Sequence, residues 1–183
     1  MTIDNNLKKL NVSRETCDIL KEYERLLKKW NNSINLISRN SMFNLWERHI
    51  FDSAQLGFFL KLDIKNWVDL GSGAGFPGIV IAILAKDKFS GMRMTLIDSD
   101  KRKCVFLSEV ARELDLKVRI VSNRIEDCSY LDADIISARA LAPLKKLLIY
   151  LDLHGKKKCK GLFLKGKNIK AELDECLGFT RFE

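Results

Sequence analysis

The feature that most constrains this chain is a short apolar segment that runs into four closely spaced glycines. Residues 67–78 read Trp-Val-Asp-Leu-Gly-Ser-Gly-Ala-Gly-Phe-Pro-Gly. Glycine has no Cβ atom to block a tight turn or the close approach of a ligand, and Pro77 suits the first turn of a helix, where its missing N–H is not needed. The segment therefore predicts a strand, a loop of bare backbone that can hold a small molecule, and a helix.

The spacing of the glycines and a downstream acid indicate a nucleotide-type ligand. Gly73, Gly75 and Gly78 follow the Gly-x-Gly-x-x-Gly spacing of dinucleotide-binding loops. Asp98 ends the next apolar run twenty residues after Gly78, where a carboxylate can accept hydrogen bonds from ribose hydroxyls. The pattern favours a binding site over a plain turn.

Two classes of cofactor use such a loop. A nicotinamide dinucleotide places its pyrophosphate at the helix N-terminus, whereas S-adenosylmethionine carries a sulfonium cation, an amino group and a carboxylate. Asp69 precedes Gly71, Gly73 and Gly75 in an acid-x-Gly-x-Gly-x-Gly arrangement that resembles the loop of Rossmann-like methyltransferases. A carboxylate beside the loop suits the cation, so the segment favours S-adenosylmethionine over NAD. The simpler interpretation of Asp69 is that it only ties down its own turn.

Hydrophobic periodicity predicts an α/β fold with an N-terminal helical extension. Helical spacing marks residues 13–30 and 41–60, and the aromatic side chains of the second region are expected in the core. After residue 62, short apolar runs suited to strands buried on both faces alternate with helices. The predicted strands are 67–70, 93–97, 117–121, 133–136 and 161–164, and the predicted helices are 77–86, 99–116 and 142–153. This alternation predicts a Rossmann-like, doubly wound, mostly parallel sheet that binds its ligand at the carboxyl ends of the strands.

Composition excludes several classes of protein. With 183 residues, 46% hydrophobic and 31% charged, the chain suits one ordered domain. No stretch approaches the roughly 20 apolar residues of a membrane span, and no signal sequence is recognised at the start, so we expect a cytoplasmic protein. The five cysteines are widely spaced without a Cys-x-x-Cys pair, so neither a metal site nor a disulfide framework is expected.

The charge balance indicates an anionic partner. The chain has 32 Lys and Arg against 24 Asp and Glu, a net charge of +8. Residues 156–170 hold seven lysines and no acid, which is consistent either with a solvated loop or with contacts to phosphates. A second basic region, residues 21–48, is mixed with glutamates and is typical of an ordinary charged helix face.

Motifs along the whole chain resemble those of one family. They are Lys29-Trp30-Asn31, Asn35-Leu36, Arg48-His49-Ile50-Phe51-Asp52-Ser53, the loop from Asp69 to Gly78, Leu96-Ile97-Asp98-Ser99 with Lys101 to Phe106, Arg124-Ile125-Glu126, and Ser137-Ala138-Arg139-Ala140-Leu141-Ala142. Their order and spacing over about residues 10–170 are similar to the bacterial 16S ribosomal RNA guanine-N7 methyltransferases, also called the glucose-inhibited division protein B family. The resemblance implies a class I methyltransferase fold, S-adenosylmethionine as the cofactor, and transfer of its methyl group to N7 of a guanine in 16S ribosomal RNA, free or in the small subunit.

The resemblance also assigns residues to the site. Cofactor contacts are expected from Asp69 and Gly73 on the loop argument above, and the family pattern adds Gly71, Phe76, Asp98, Ser99, Ile125, Glu126 and Arg139. Arg139 lies in an otherwise apolar run, where an arginine is costly to bury unpaired and is expected to face a ligand. Arg48, Arg139 and Lys165 are the residues expected to contact the RNA. His49 either shapes the RNA cleft or is a helix-surface histidine with a satisfied neighbour.

No catalytic base is assigned, because N7 of guanine has a free lone pair and the transfer needs alignment more than deprotonation. Two alternatives stay open: a NAD-dependent oxidoreductase, and a ribosome-associated RNA-binding module without activity. The chain departs from the family pattern twice. Ser137-Ala138-Arg139 has one residue more than the usual Ser-Arg, and the sequence ends before the final strand hairpin of the family sheet. We expect residues 1–62 to form a helical extension packed on a binding core of residues 63–183. We also expect a monomer. The chain is either a short variant of the family or lacks the last strands of the sheet.

Overall fold

The structure is a computed structural model that describes residues 12–167 and 169–176. It begins with helix α1, Arg14–Asn31, in the place that the sequence predicts. The side chain of Ser13 caps this helix by accepting a hydrogen bond from the backbone N–H of Thr16 at 3.2 Å. One face of α1 is buried, as its periodicity requires, and consists of Cys17, Leu20, Tyr23, Leu26 and Leu27.

The second helical region is broken into short pieces, where the sequence predicts one helix over 41–60. In order these are α2 (Arg39–Phe43), a π-helix (Trp46–Phe51), α3 (Asp52–Ala54) and a 3-10 helix (Gln55–Phe59). Each change of helix type changes the angle between successive side chains, so a single helical period no longer describes the buried face. Trp46 is buried as expected, but Phe43 and Phe58 are each 87% exposed. The prediction that these two aromatic residues belong to the core is wrong.

A five-stranded parallel sheet follows, which confirms the predicted fold class. Its strands are β1 (Asn66–Leu70), β2 (Arg93–Asp98), β3 (Val118–Ser122), β4 (Ala133–Arg139) and β5 (Gly155–Leu164). The spatial order is β3-β2-β1-β4-β5, and every neighbouring pair is parallel. The connecting helices are α4 (Gly78–Ala85), α5 (Lys101–Glu113) and α6 (Leu144–His154), with a 3-10 turn at Ile125–Asp127 after β3 and a short helix α7 (Ile169–Asp174) after β5. Any strand after residue 176 lies outside the described residues.

Burial differs between the centre and the edges of this sheet. All five residues of β1 are buried, as expected for a central parallel strand. The edge strands β3 and β5 are only half-buried, so the prediction of two buried faces is wrong for them. Strand β5 also begins at Gly155, six residues earlier than predicted, and it includes Lys156, Lys157, Lys158 and Lys160. This part of the lysine run is therefore an edge strand and not a loop, because exposed lysines are compatible with the outer edge of a sheet.

The N-terminal helices share their hydrophobic core with the sheet domain. Leu20, Tyr23 and Leu27 of α1 belong to the same buried cluster as Ile79 of α4 and Phe106 of α5. The boundary at residue 62 stays a prediction, but this packing is that of an extension closely attached to the core. Within residues 12–167 and 169–176, every helix is too short or too polar to cross a membrane.

Candidate functional site

The glycine loop between β1 and α4 has a backbone conformation that other residues rarely adopt. Gly71 and Gly75 have φ angles of +63° and +96°, in the region where glycine is favoured. A Cβ atom on Gly71 would lie 2.5 Å from the side chain of Leu141, and one on Gly75 would lie 2.8 Å from the hydroxyl of Tyr23. The loop is thus pressed between the end of β4 and helix α1, and these positions need glycine.

Asp69 supports the loop from below. Its side chain is fully buried, with Oδ1 accepting a hydrogen bond from the Ser137 hydroxyl at 2.7 Å and Oδ2 accepting one from the backbone N–H of Gly78 at 3.2 Å. Burial raises the pKa of this carboxyl to about 6. Asp69 therefore joins β1 to β4 and to the first turn of α4, which is more than tying down its own turn.

Asp98 holds the loop from the side. Its Oδ2 accepts a hydrogen bond from the backbone N–H of Gly73, and its Oδ1 accepts one from the backbone N–H of Asp100, both at 2.8 Å. The residue is 9% exposed, and it lines a cavity that opens at this edge of the sheet. Asp98 thus both fixes the loop and presents a carboxylate to the cavity.

This cavity, of about 370 Å³, collects most of the predicted cofactor residues. It lies where the carboxyl ends of β1, β2 and β4 and the turn after β3 meet, as expected for a doubly wound sheet. Seven of the nine predicted residues line it: Gly71, Gly73, Asp98, Ser99, Ile125, Glu126 and Arg139. Asp69 lies beneath the loop, and Phe76 packs away from the cavity, with its ring 5.4 Å from that of Tyr23 and 4.9 Å from that of His49.

Two residues of helix α6 also line the cavity, and the sequence analysis missed them. The hydroxyl of Tyr150 donates a hydrogen bond to Glu126 at 2.5 Å, and Lys146 Nζ lies 3.1 Å from the same carboxylate. These contacts, the Tyr150 bond first, lower the pKa of Glu126 to about 2. The detectable signal was their i, i+4 spacing, which places a lysine and a tyrosine on one helix face.

Arg139 connects the cavity to the N-terminal helices. Its Nη2 donates a hydrogen bond to the backbone carbonyl of Arg48 and lies 3.6 Å from Asp52 Oδ2. Its Nη1 is buried and has no hydrogen-bond partner within the described residues. The extra residue between Ser137 and Arg139 does not displace the arginine from the site, because Arg139 still lines the cavity. Arg48 and Arg139, which are both predicted to contact RNA, are thus neighbours in space.

His49 lies beside this arginine in an apolar setting. Both of its ring nitrogens are buried and have no hydrogen-bond partner in the described part of the chain, so the interpretation of a helix-surface histidine is wrong. Burial, followed by the charges of Arg139 and Arg48, lowers the pKa of His49 to about 4. The ring is consequently neutral at pH 7.

Lys165 follows β5 at the same edge of the sheet, but it is already paired. Its Nζ lies 2.7 Å from Glu172 Oε2 and donates a hydrogen bond to the Ala142 carbonyl at 2.9 Å. The same Glu172 oxygen accepts a hydrogen bond from the backbone N–H of Leu144 at 2.6 Å. An RNA phosphate that contacts Lys165 would compete with this carboxylate.

The first lysines of the segment 156–170 lie near the amino end of β4, whereas the cavity lies at its carboxyl end. Lys156 pairs with Asp134 at 2.7 Å and with Asp132 at 3.5 Å, both at the start of β4. Arg139 is five residues further along β4, which is roughly 17 Å at the rise of a strand. Lys156 and its exposed neighbours are therefore separated from the cavity by the length of the strand.

Comparisons with known sequences agree on one family. Residues 16–177 match the sequence profile of the family described as rRNA small subunit methyltransferase G. A protein of Ruegeria sp. (strain TM1040) named ribosomal RNA small subunit methyltransferase G is 46% identical over 95% of this chain and 84% of its own length. One of the same name from Parvibaculum lavamentivorans is 48% identical over 89% of this chain and 73% of its own length.

Solved structures resemble the fold at low sequence identity. A ribosomal protein L11 methylase from Lactobacillus delbrueckii subsp. bulgaricus has a TM-score of 0.53 and 20% identity, over 68% of this chain and 65% of its own. A SAM-dependent methyltransferase from Thiobacillus denitrificans in complex with S-adenosyl-L-homocysteine has a TM-score of 0.50 and 18% identity, over 76% of this chain and 62% of its own. The shared architecture is that of class I methyltransferases.

Proposed function

The chain belongs to the rRNA small subunit methyltransferase G family, and from this membership we propose that it transfers a methyl group from S-adenosylmethionine to N7 of a guanine in 16S ribosomal RNA. The observation that carries the proposal is the cavity at the carboxyl edge of the sheet, where seven residues predicted to contact the cofactor converge. We further propose that the protein acts as a cytoplasmic monomer on free 16S ribosomal RNA or on an assembling small subunit.

The cavity fits S-adenosylmethionine in size and in chemistry. Its volume of about 370 Å³ lies within the roughly 300–1,000 Å³ of small-molecule sites. Gly71 and Gly73 offer bare backbone, Asp98 offers a carboxylate to ribose hydroxyls, and Ile125 and Glu126 border the place expected for the adenine. When bound, S-adenosylmethionine supplies an electrophilic methyl group on a positively charged sulfur.

The start of helix α4 argues against the NAD alternative. A dinucleotide needs free backbone N–H groups at this N-terminus for its pyrophosphate. Here the N–H of Gly78 donates to the buried carboxylate of Asp69 at 3.2 Å. A phosphate at this position would meet a carboxylate instead of a free donor.

The protein's part in the reaction is to hold and align. Asp98 fixes the loop through Gly73, and Tyr150 fixes Glu126. Arg139 lines the cavity and is the residue we assign to O6 of the guanine, because arginine is the side chain that most often recognises this atom. No residue is required to remove a proton before the attack, because the N7 lone pair is free at neutral pH.

Labelled methyl transfer tests the proposal. The protein is incubated with methyl-labelled S-adenosylmethionine and 16S ribosomal RNA, and digestion of the RNA is expected to yield labelled 7-methylguanosine. A transcript with 7-deazaguanine at the target position should bind equally well but accept no methyl group. Methylation of the deaza transcript would refute N7 as the target. Binding of S-adenosylhomocysteine and RNA without any transfer would instead support the inactive binding module.

A further inference from the structure

A stretch of the N-terminal helices combines positive charge with the absence of any acid. No Asp or Glu occurs between Glu24 and Glu47, while Arg25, Lys28, Lys29 and Arg39 fall in this interval. Arg25 is paired with Glu22 at 2.6 Å, and Lys28 is paired with Glu24 at 2.7 Å. Lys29 and Arg39 are exposed and form no ion pair within the described residues. These two cations are available to an anionic partner.

The same stretch encloses an open groove of about 810 Å³, called here the Phe43 groove, formed by residues 28–43. One wall is built by Asn31, whose Oδ1 accepts hydrogen bonds from the backbone N–H groups of Leu36 at 2.9 Å and Ile37 at 3.0 Å. Asn32 and Asn35 also line the groove and are exposed, so their amides can bond a ligand. The groove thus offers hydrogen-bond donors and acceptors besides charge.

Phe43 adds a flat apolar surface at this groove. It is 87% exposed, in a setting of Asn and Arg side chains. A single exposed phenylalanine is not unusual in itself, and Phe58, with the same 87% exposure, lies outside the groove. Arg39 is the cation of the groove that forms no ion pair within the described residues. An aromatic face beside a cation and amides is what proteins use to bind single-stranded nucleic acid, because bases stack on the ring while the cation contacts a phosphate.

A short helical segment links the Phe43 groove to the cofactor cavity. Asn44 directly follows helix α2, and its carbonyl accepts a hydrogen bond from the backbone N–H of Arg48 in the π-helix at 2.9 Å. At roughly 1.5 Å per helical residue, Phe43 lies within about 10 Å of Arg48. The backbone carbonyl of Arg48 in turn binds Arg139, which lines the cavity. An RNA strand with its target base at the cavity can reach the groove within two or three nucleotides.

We propose that the Phe43 groove docks a single-stranded segment of the substrate RNA next to the target guanine. Phe43 stacks on a base, Arg39 contacts a phosphate, and Asn32 and Asn35 bond to sugar or base edges. The occupant rests on the proposed function, which supplies an RNA substrate. The groove goes beyond it, because it adds an RNA contact surface outside the cavity at which the methyl transfer is proposed.

Two substitutions and a matched control test this docking site by the affinity for a 16S ribosomal RNA transcript. Phe43→Ala should weaken RNA binding by about fivefold or more, the usual effect of removing one stacked base. Arg39→Gln should also weaken it and should reduce the slope of log affinity against log salt by about one. Phe58→Ala, which removes an equally exposed ring outside the groove, should bind RNA like the wild type. Affinity for S-adenosylhomocysteine and the thermal unfolding midpoint should be unchanged in all three variants.

The outcomes separate this inference from the proposed function. If the wild type forms 7-methylguanosine but Phe43→Ala and Arg39→Gln bind RNA normally, the docking site is refuted and the activity stands. If the wild type transfers no methyl group, but Phe43→Ala weakens RNA binding and Phe58→Ala does not, the activity fails and the docking site stands. Equal losses in Phe43→Ala and Phe58→Ala would refute the docking site. So would normal binding of Phe43→Ala to RNA combined with weak binding to intact small subunits, because the partner would then be a ribosomal protein.

Discussion

Two carboxylates organise the glycine loop from different depths. Asp98 is at the cavity surface, where its two oxygens bind the N–H groups of Gly73 and Asp100. Asp69 is below the loop and has no access to solvent. Hydrogen bonds from Ser137 and Gly78 favour its ionised form, but the loss of hydration outweighs them, and the pKa rises to about 6. The first acid is suited to contact a ligand, whereas the second links stability to pH.

The raised pKa of Asp69 predicts a stability that falls with pH. The folded protein binds this proton up to about pH 6, whereas a free Asp releases it near 3.8. The contribution of Asp69 to stability is therefore fully present below pH 3.8 and is lost as the pH rises to about 6. Between pH 4 and pH 7 the wild type should lose roughly 2–3 kcal/mol of unfolding free energy relative to Asp69→Asn, which cannot titrate. Urea unfolding at several pH values measures this difference, and parallel curves for the two proteins would show that Asp69 is ionised throughout.

At the scale of elements, the parts that obey a single period were predictable and the others were not. Strand β1, the glycine loop and α1 were predicted within one or two residues, because a buried run and one helical period describe them. The segments from Arg39 to Phe59 mix α, π and 3-10 geometry. A period of 3.6 residues therefore placed Phe43 and Phe58 in the core, although both are exposed. The sequence predicted only residues 161–164 of β5, because an edge strand tolerates lysines that normally mark a loop.

The same limits apply to the candidate site. Residues that follow a strand end, such as Asp98 and Glu126, were predictable because parallel strands bring their carboxyl ends together. Tyr150 and Lys146 had only their i, i+4 spacing as a signal, and that spacing does not show that this face of α6 borders the cavity. The partner of Lys165 was also hidden, since Glu172 belongs to a different element and only tertiary packing brings it within 2.7 Å.

The position of β5 predicts that its first lysines are not part of the RNA-binding surface near the cavity. The double substitution of Lys157→Gln and Lys158→Gln removes two charges at the start of β5, beside the amino end of β4 and away from the cavity. At roughly 17 Å and physiological salt, where the Debye length is about 8 Å, such charges are largely screened from the cavity. The affinity for a 16S ribosomal RNA transcript should stay within about twofold of the wild type. Arg39→Gln is the comparison that should change it, and a reduced salt slope in the lysine variant would place RNA at this edge as well.

At the scale of the whole molecule, the N-terminal helix and the glycine loop form one structural unit. The hydroxyl of Tyr23 in α1 donates a buried hydrogen bond of 2.5 Å to the carbonyl of Ala74 in the loop. Phe76, two residues further along the loop, packs on the same tyrosine and on His49 of the π-helix. The helical extension thus shapes the glycine loop of the candidate site without lining the cavity.

Removing this hydroxyl should affect both stability and ligand binding. Tyr23→Phe keeps the ring but leaves the Ala74 carbonyl unpaired in the core, so the unfolding free energy should fall by about 1–3 kcal/mol. Affinity for S-adenosylhomocysteine, measured by calorimetry, should fall several-fold because the loop is held less firmly. Tyr130→Phe is the matched control: its hydroxyl donates to Gly155 at 3.3 Å on the surface, and its loss should change stability by less than about 0.5 kcal/mol. Equal effects of the two substitutions would argue against a special role for Tyr23.

The strand order also governs when the site can form during synthesis. Strand β1 is made before either of its neighbours, and Ser137, which donates to Asp69, follows 68 residues later in the chain. Until residues 133–139 have left the ribosome, one edge of β1 has no partner and Oδ1 of the buried carboxylate lacks the donor that Ser137 provides. A nascent chain therefore carries an open, apolar strand edge through much of its elongation, the situation in which chaperones are most needed. The cavity has all of its lining residues only after Tyr150 has been added.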